Sequence, residues 1–378
     1  KGQTQFEMSA GGVLIRKLSQ IRPYSGKDIS LSIDANLSKV ASDALHNRPG
    51  AVVVTDAKNG QVLVLVSTPG MNRDDYSANL HNEDKPLLNR AVLGYAPGST
   101  FKLITAIAGL ENGTIDAASK FNDKGEIKVG EQTFRNWYFR TNGKTEGEIN
   151  VARALTRSTD TFFYDLANKV GPEKIQGYAK RFHLGILTGI ELPEETSGLI
   201  PTPAWKERTI GSKWFTGDTF NMGIGQGYVL ATPLQINMMT AAIANGGQWC
   251  APTLLLGKGK QCEDTAVTTS TLETVLDGMV GACSHGGTGV PFFAVNDSLP
   301  AENKVACKTG TAELGVSDSN GKKKTHAWFT MVYPRENPKV AITVFLESGG
   351  SAQFLEGSSD AAPIAKTVWD AWRVKYDH

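Results

Sequence analysis

Three short groups of residues in this 378-residue chain have the types and spacing for nucleophilic chemistry. The first is Ser99 with Lys102, inside Ala96-Pro-Gly-Ser-Thr-Phe-Lys102. Pro97 and Gly98 break helices, and the apolar residues Phe101, Leu103, Ile104, Ile107 and Leu110 behind them read as a core helix. Residues three apart share a helix face, so a hydroxyl nucleophile and an amine base can touch there. The unpaired N–H groups of that helix start favour an oxyanion formed beside them. Ser-x-x-Lys needs only two common residues, and Ser319-Asn-Gly-Lys322 repeats it in a polar turn. The second group, Ser158-Thr-Asp160, reads by itself as an ordinary helix cap or polar loop. In the third, Lys308-Thr-Gly-Thr311, a glycine interrupts an apolar strand, the mark of a bulge or of a close approach to the backbone. A cation beside it suits an anionic ligand, while Lys308 alone would also serve to keep an edge strand from pairing.

These groups need elements to hold them. Residues 6–17 read as extended, Pro23 marks a turn, and 29–33 alternate with period two. Asp34 has the chemistry of an N-cap for a helix carrying Leu37, Val40, Ala41, Ala44 and Leu45 on one side. Two β-branched runs at 51–55 and 61–67 flank Asn59-Gly60, a strong hairpin signal. The segment from 68 to the Ser99 helix is polar and aperiodic. Residues 115–285 are mostly helical in pattern, with helices expected over 149–170, from Thr232-Pro233 to Ala244, and over 272–280. Three strands follow at 304–312, 326–333 and 339–346, and a last helix over 361–374 puts Ile364, Val368 and Trp372 on one face. Two strands early and three late predict an α/β (α+β) fold: one five-stranded antiparallel sheet flanked by helices, plus an all-helical lobe inserted at roughly 115–285. A site belongs in the groove between sheet edge and lobe.

Composition agrees with a globular protein having a sizeable core, at 40% hydrophobic and 20% charged residues. A formal net charge of +1, with Lys and Arg scattered, argues against a nucleic-acid partner. No run reaches the ~18 apolar residues of a membrane span, and the first residues lack a signal-peptide layout. The chain is therefore expected either to be soluble or to have its anchor elsewhere. Cysteines 250, 262, 283 and 307 include no Cys-x-x-Cys spacing suited to zinc. Cys250 and Cys262 flank a hairpin-like stretch and would suit a disulfide; buried free thiols are the other reading.

Taken in order, Ser99-x-x-Lys102, Ser158-x-Asp160 and Lys308-Thr-Gly-Thr311 resemble the active-site triplet of penicillin-binding proteins and serine β-lactamases. Longer stretches are similar to the class B penicillin-binding proteins: Asn89-Arg-Ala-Val-Leu-Gly-Tyr-Ala-Pro-Gly-Ser-Thr-Phe-Lys102, Gly217-Asp-Thr-Phe-Asn-Met-Gly-Ile-Gly-Gln-Gly227, and Ala231-Thr-Pro-Leu-Gln235. Asp160, followed by Thr-Phe-Phe-Tyr164, resembles the elongation-type subgroup, penicillin-binding protein 2. The resemblance implies a transpeptidase domain over 34–378, with 1–33 the end of a membrane-proximal pedestal and a transmembrane helix preceding it. It implies a peptidoglycan D,D-transpeptidase of cell elongation and shape, acylated by β-lactams and acting on stem peptides ending in D-Ala-D-Ala. Ser99 would be the nucleophile, Lys102 its base, Ser158 a proton relay and Asp160 a support for both. Lys308, Thr309 and Thr311, around Gly310, would hold the substrate carboxylate, with the amides of Ser99 and Thr311 as oxyanion hole. Lys308 would also lower the pKa of Lys102, and Asp160 would oppose that lowering. Gly225-Gln-Gly227 would be architectural.

The same resemblance implies the inner membrane with the catalytic domain on its outer, periplasmic side, a membrane glycosyltransferase as partner, and no cofactor. Some elongation-type members bind zinc ahead of the second motif. Residues 115–157 hold neither Cys nor His here, so no metal is expected. The alternatives on the same fold are a β-lactamase or D,D-carboxypeptidase, for which Glu194 or Glu195 would have to activate water, and a penicillin sensor or inactive scaffold. The Gly321-Lys-Lys-Lys-Thr325 turn reads as a solvated loop at the groove rim.

Overall fold

A computed structural model describes residues 1–71, 74–317, 323–349 and 354–377. The second Ser-x-x-Lys match, at 319–322, and the start of the 321–325 turn lie outside them. The chain forms two compact units, 1–31 and 32–378. The first is an antiparallel hairpin of β1 (Gln3–Met8) and β2 (Leu14–Ile21), on which Phe6, Leu14, Ile15, Leu18 and Ile21 are exposed.

The second unit starts without the strand expected over 29–33. The Ser32 and Asp34 amides instead donate to the carbonyls of Leu254 and Leu63, at 2.9 and 2.8 Å. Asp34 caps α1 (Ala35–Leu45), accepting from the amides of Asn36 and Leu37. Strands β3 (Gly50–Asp56) and β4 (Val62–Thr68) then pair through the Asn59-Gly60 turn. A short helix α2 (Tyr76–His81) interrupts the polar segment. One 3₁₀ turn, Gly98–Phe101, carries Ser99 and runs into α3 (Lys102–Glu111), which is buried on nearly all sides. A helix apolar all round belongs at the centre of a domain, and α3 is there.

The inserted lobe is mainly but not wholly helical, which corrects the expectation of an all-helical one. β5 (Phe121–Asp123), β6 (Glu126–Val129), β7 (Gln132–Arg135), α4 (Trp137–Asn142) and β8 (Gly147–Ile149) come first, with β5 paired to β8 and β6 to β7. Next are α5 (Val151–Arg157), α6 (Asp160–Val170), α7 (Pro172–Arg181), α8 (Pro203–Ile210) and α9 (Thr216–Gly223). α10 (Pro233–Ala244) opens with a capping box between Thr232 and Gln235. β9 (Gln248–Cys250) pairs with β10 (Cys262–Asp264), ahead of α11 (Thr269–Ala282) and α12 (Phe293–Ser298).

β11 (Ala306–Ser317), β12 (Lys323–Tyr333) and β13 (Val340–Leu346) complete an antiparallel sheet of order β11-β12-β13-β3-β4, and α13 (Ala362–Tyr376) ends the chain. The pleat divides the core. Ala51, Val53, Trp328 and Phe345 face α3 and α10, whereas Val52, Val54, Phe329 and Val344 face α1 and α13. Both faces being covered explains why β3 and β13 read as unbroken apolar runs. β11 is left as the edge nearest Ser99, with a Cβ on Gly310 falling 3.0 Å from the Pro97 carbonyl. Both cysteine pairs, Cys250–Cys262 and Cys283–Cys307, are disulfides.

Candidate active site

Ser99 sits in a loop clamped from three sides. The Trp328 indole donates to the Ala96 carbonyl at 2.9 Å, and the Gly98 amide donates to Gly225 O at 2.9 Å. Gly98 has φ +54°, and a Cβ there would lie 2.9 Å from the Thr311 carbonyl. A Cβ on Gly225, at φ +69°, would lie 2.3 Å from Gly98 O. Both positions need glycine because backbone meets backbone. The Gly225-Gln-Gly227 segment is thus part of the wall behind Ser99.

Lys102 is completely buried. Its Nζ donates to Asp160 Oδ1 at 2.6 Å, Ser158 O at 2.8 Å and Ser158 Oγ at 3.2 Å. Among the described residues Ser99 Oγ makes no hydrogen bond, to Lys102 or to any other group. Lys308, equally buried, reaches Ser158 Oγ from the other side at 2.8 Å and its neighbour's carbonyl, Thr309 O, at 2.9 Å. One serine hydroxyl therefore stands between two amines. It is placed by a left-handed residue: Ser158 ends α5 at φ 56°, where glycine or asparagine is usual, and such strain at a non-glycine residue gathers at functional sites.

One carboxylate serves two lysines. Burial lowers Lys102 below the ordinary lysine pKa, and the charge and hydrogen bond of Asp160 oppose it. Lys308 is held well below its ordinary value by burial first and by the Lys102 charge second. Asp160 touches Lys102, so the charge rests there and Lys308 is the amine driven toward neutrality. Asp160 occupies the first turn of α6, where the helix dipole favours an anion, and its second oxygen accepts the Trp137 amide at 3.1 Å.

On β11 the pleat puts Lys308 and Gly310 on the face turned to α3, and Thr309 and Thr311 on the other. A ligand along this edge can meet both sets. Thr309 Oγ1 is 2.7 Å from Thr288 Oγ1, and Thr311 Oγ1 accepts the Gly357 amide at 3.4 Å. Further along, Glu313 binds Arg140 of α4 at 2.8 Å and Lys323 of β12 at 2.6 Å, tying lobe to sheet across the groove. With its amide turned to match, Gln226 pairs with the Glu313 backbone at 3.0 and 3.2 Å. Thr288, Trp137, Arg140 and Glu313 escaped sequence reasoning, whereas Gln226 was read within the architectural Gly225-Gln-Gly227 segment.

Glu195, weighed as a water-activating base, is spent on its own loop. Its carboxylate accepts from Thr188 N, Thr188 Oγ1 and Gly189 N at 2.8, 2.5 and 3.2 Å, while Glu194 accepts from Asn89. A cavity of about 450 Å³ between α1 and α13 lies on the opposite face of the sheet from α3.

Comparison with known proteins gives this arrangement its relatives. Residues 50–370 match the penicillin binding protein transpeptidase domain. The chain is 34% identical to the peptidoglycan D,D-transpeptidase MrdA of Acinetobacter baumannii, over 98% of this chain and 57% of that protein. It is also 34% identical to MrdA of Escherichia coli K12, over 93% and 59%. The chain thus spans somewhat under two thirds of the length of these curated relatives. Pseudomonas aeruginosa PBP2, solved in complex with WCK 5153, superposes with a TM-score of 0.80 at 33% identity, covering 93% of this chain and 80% of that one. PBP2 of Helicobacter pylori, solved in a complex with MreC, gives 0.82 at 29% identity, covering all of this chain and 70% of that one.

Proposed function

We propose that this chain, which belongs to the penicillin-binding protein transpeptidase family, is the catalytic part of an elongation-type peptidoglycan D,D-transpeptidase. The observation that carries the reading is Ser158 Oγ set between Lys102 and Lys308, at 3.2 and 2.8 Å, beside the Ser99 loop. Two buried amines joined by a hydroxyl can take a proton from a serine and deliver it to a leaving amine. Lys102 first passes its proton through Ser158 to Lys308; Ser99 then attacks the carbonyl between the two D-alanines of a stem peptide, and its own proton goes to the neutral Lys102. Lys308, now protonated, returns its proton through Ser158 to the departing D-alanine nitrogen, and the peptide stays on Ser99 as an ester. An amine of a second stem then displaces Ser99 and forms the cross-link.

The Ser99 and Thr311 amides receive the oxyanion, since the Gly98 turn and the Thr311 backbone meet closely. Thr309, Thr311 and Lys308, around Gly310, hold the terminal carboxylate of peptide or β-lactam.

The whole protein is proposed to be held in the inner membrane by a segment ahead of residue 1, with this domain on the outer side. Residues 1–33 are then the end of a pedestal, a reading supported by the exposed Phe6, Leu14, Ile15, Leu18 and Ile21. Partners are expected by analogy: one relative was solved with MreC, and another structure describes a peptidoglycan synthase complex coordinating polymerization and crosslinking. A membrane glycosyltransferase fits that second role.

A fluorescent penicillin tests the reading. The expected result is a stable covalent adduct that disappears in Ser99→Ala. No adduct overturns it, and rapid release of hydrolysed drug would favour a β-lactamase instead.

A further inference from the structure

Below the Asp160 corner lies a second buried carboxylate that the reaction does not use. Asp123, at the end of β5, is 1% exposed and makes no ion pair among the described residues. Four neutral donors converge on it: Gly125 N at 2.9 Å and Thr161 Oγ1 at 2.7 Å on one oxygen, Asn136 Nδ2 at 3.1 Å and Glu146 N at 2.9 Å on the other. A buried anion without a counter-ion is costly unless it is fully hydrogen-bonded, and this one is. The choice of an anion has a consequence one residue away. Asn136 must turn its NH₂ to Asp123, and its Oδ1 is left buried without a partner.

The donors come from the segments that frame the site. Thr161 follows Asp160 in α6, and Asn136 is the N-cap of α4. The Asn136 amide is fixed in turn by the Gly125 carbonyl at 2.8 Å. The next residue, Trp137, puts its amide on Asp160 Oδ2 at 3.1 Å and its indole on Arg157 O at 2.9 Å. Glu146, whose amide reaches Asp123, binds the Arg157 guanidinium at 2.7 Å. Both ends of the Ser158–Asp160 turn are therefore tied to one carboxylate.

We propose that Asp123 is a positioning residue for the reaction: it anchors Asn136 and Thr161 so that the Trp137 amide stays on Asp160 while Asp160 holds Lys102. The inference rests on the transpeptidase reading of this site. The carboxylate acts on the lysine only through Trp137 and Asp160, and hydrogen-bonds neither Ser99 nor Lys102. Loosening it frees Asp160 to turn and leaves Lys102 less firmly held. The other ionisable groups around that pair are Lys308 from β11, and Tyr164 of α6 and Arg140 of α4 at longer range.

The experiment is a double-mutant cycle on penicillin acylation followed against pH. Asp123→Asn is expected to lower the plateau rate about tenfold, as the loss of a charged hydrogen-bond hub would. The acid limb of the profile should move to lower pH, because Asp160 then supports the charged form of Lys102 less well. In an Asp160→Asn background the same substitution should change neither plateau nor limb, since coupling through one residue is lost with that residue.

A second pair of variants covers the case in which Asp123→Asn does not fold. Trp137 is the first residue of α4, where proline is tolerated, and Asn136 has the extended ψ of 142° that proline requires before it. Trp137→Pro removes the amide donor that Trp137→Ala retains, and both lack the indole. The proline variant should acylate about tenfold more slowly than the alanine variant. Equal rates in that pair, or an equal effect of Asp123→Asn in both backgrounds, overturn the proposal while Ser99 labelling of the unaltered chain stands. Absence of labelling in the unaltered chain overturns the functional reading, and this proposal with it.

Discussion

Lys102 Nζ lies 2.6 Å from Asp160 Oδ1, so the lysine one turn from Ser99 is held by a carboxylate and not by the serine it would activate. The site has an apparent conflict in this pair. A base must be neutral to accept a proton, and a carboxylate in contact favours the charged form. Burial pulls Lys102 the other way, and Lys308 across Ser158 is pushed further toward neutrality. The relay resolves the conflict if the proton rests on Lys102 and the vacancy on Lys308, with Ser158 as the path between them.

Replacing Asp160 by asparagine tests that balance. Asp160 raises the Lys102 pKa, so removing its charge lowers it. Acylation that needs neutral Lys102 rises with pH through that pKa, hence the acid limb moves to lower pH in Asp160→Asn. The plateau should fall about tenfold because the lysine loses a charged partner. Penicillin acylation rates across pH read both changes. An unmoved limb would show that Asp160 does not tune Lys102.

Thr288 offers a binding prediction. Its hydroxyl lies 2.7 Å from that of Thr309, on the strand proposed to hold the ligand carboxylate. Thr288→Val removes a small hydrogen bond and leaves the amines untouched. The penicillin concentration for half-maximal acylation should rise roughly threefold to tenfold at an unchanged maximal rate, as one hydrogen bond is worth. A fall in maximal rate at constant half-saturation would contradict this division of labour.

Much of this architecture can be read from the sequence because its signals are local. The Asn59-Gly60 hairpin, the Asp34 and Thr232 caps, and the apolar runs of β3, β12 and β13 each declare themselves within ten residues. Lys102, Ser158, Asp160 and Lys308 could be nominated for the same reason: each belongs to a motif of three or four residues. The strands of the lobe could not, since β5 and β8 are three residues long and too short to show alternation. Trp137 meets Asp160 across 23 positions, Thr288 meets Thr309 across 21, and Asp123 meets Thr161 across 38. Such pairings arise from how α4, the loop after α11, and β5 pack, and no spacing in the chain encodes them. The partners of Lys102 are a related case. Shared helical phase puts Lys102 on the face of Ser99, but its hydrogen bonds go to Ser158 and Asp160, 56 and 58 positions away.

His326 on β12 supplies a stability prediction independent of catalysis. Burial brings its pKa down from 6.5 to about 4, and its Nδ1 accepts the Ser348 amide at 2.9 Å. The folded state therefore keeps it neutral in a range where the unfolded chain binds a proton. The stabilisation is complete above pH 6.5 and is lost as pH falls toward about 4, amounting to roughly 3 kcal/mol across that window. Asp34 and Glu191, lowered to about 2, titrate below it. Urea unfolding at a series of pH values should show the loss, and His326→Gln, which keeps an acceptor for Ser348, should flatten it. A slope unchanged in the variant would assign the loss to other groups.

The two disulfides should separate stability from activity. Cys250–Cys262 closes a separation of 12 residues at the β9–β10 pair, far along the sequence from any candidate site residue. Cys283–Cys307 closes 24, joining the end of α11 to the residue before Lys308. The loop between Cys283 and β11 also carries Thr288, and its Gly286 carbonyl accepts from Arg157, the neighbour of Ser158, at 3.0 Å. By loop entropy each cross-link is worth about 3 kcal/mol, so replacing either pair with alanines should lower Tm by a similar amount. Acylation should differ. The Cys250→Ala, Cys262→Ala protein keeps its penicillin acylation rate below its Tm, whereas Cys283→Ala, Cys307→Ala frees the strand and loop that place Lys308, Thr309 and Thr288, and acylates more slowly at the same fraction folded. Equal acylation rates in the two double variants would mean that β11 is positioned by its pairing with β12 alone, without help from the bond at its start.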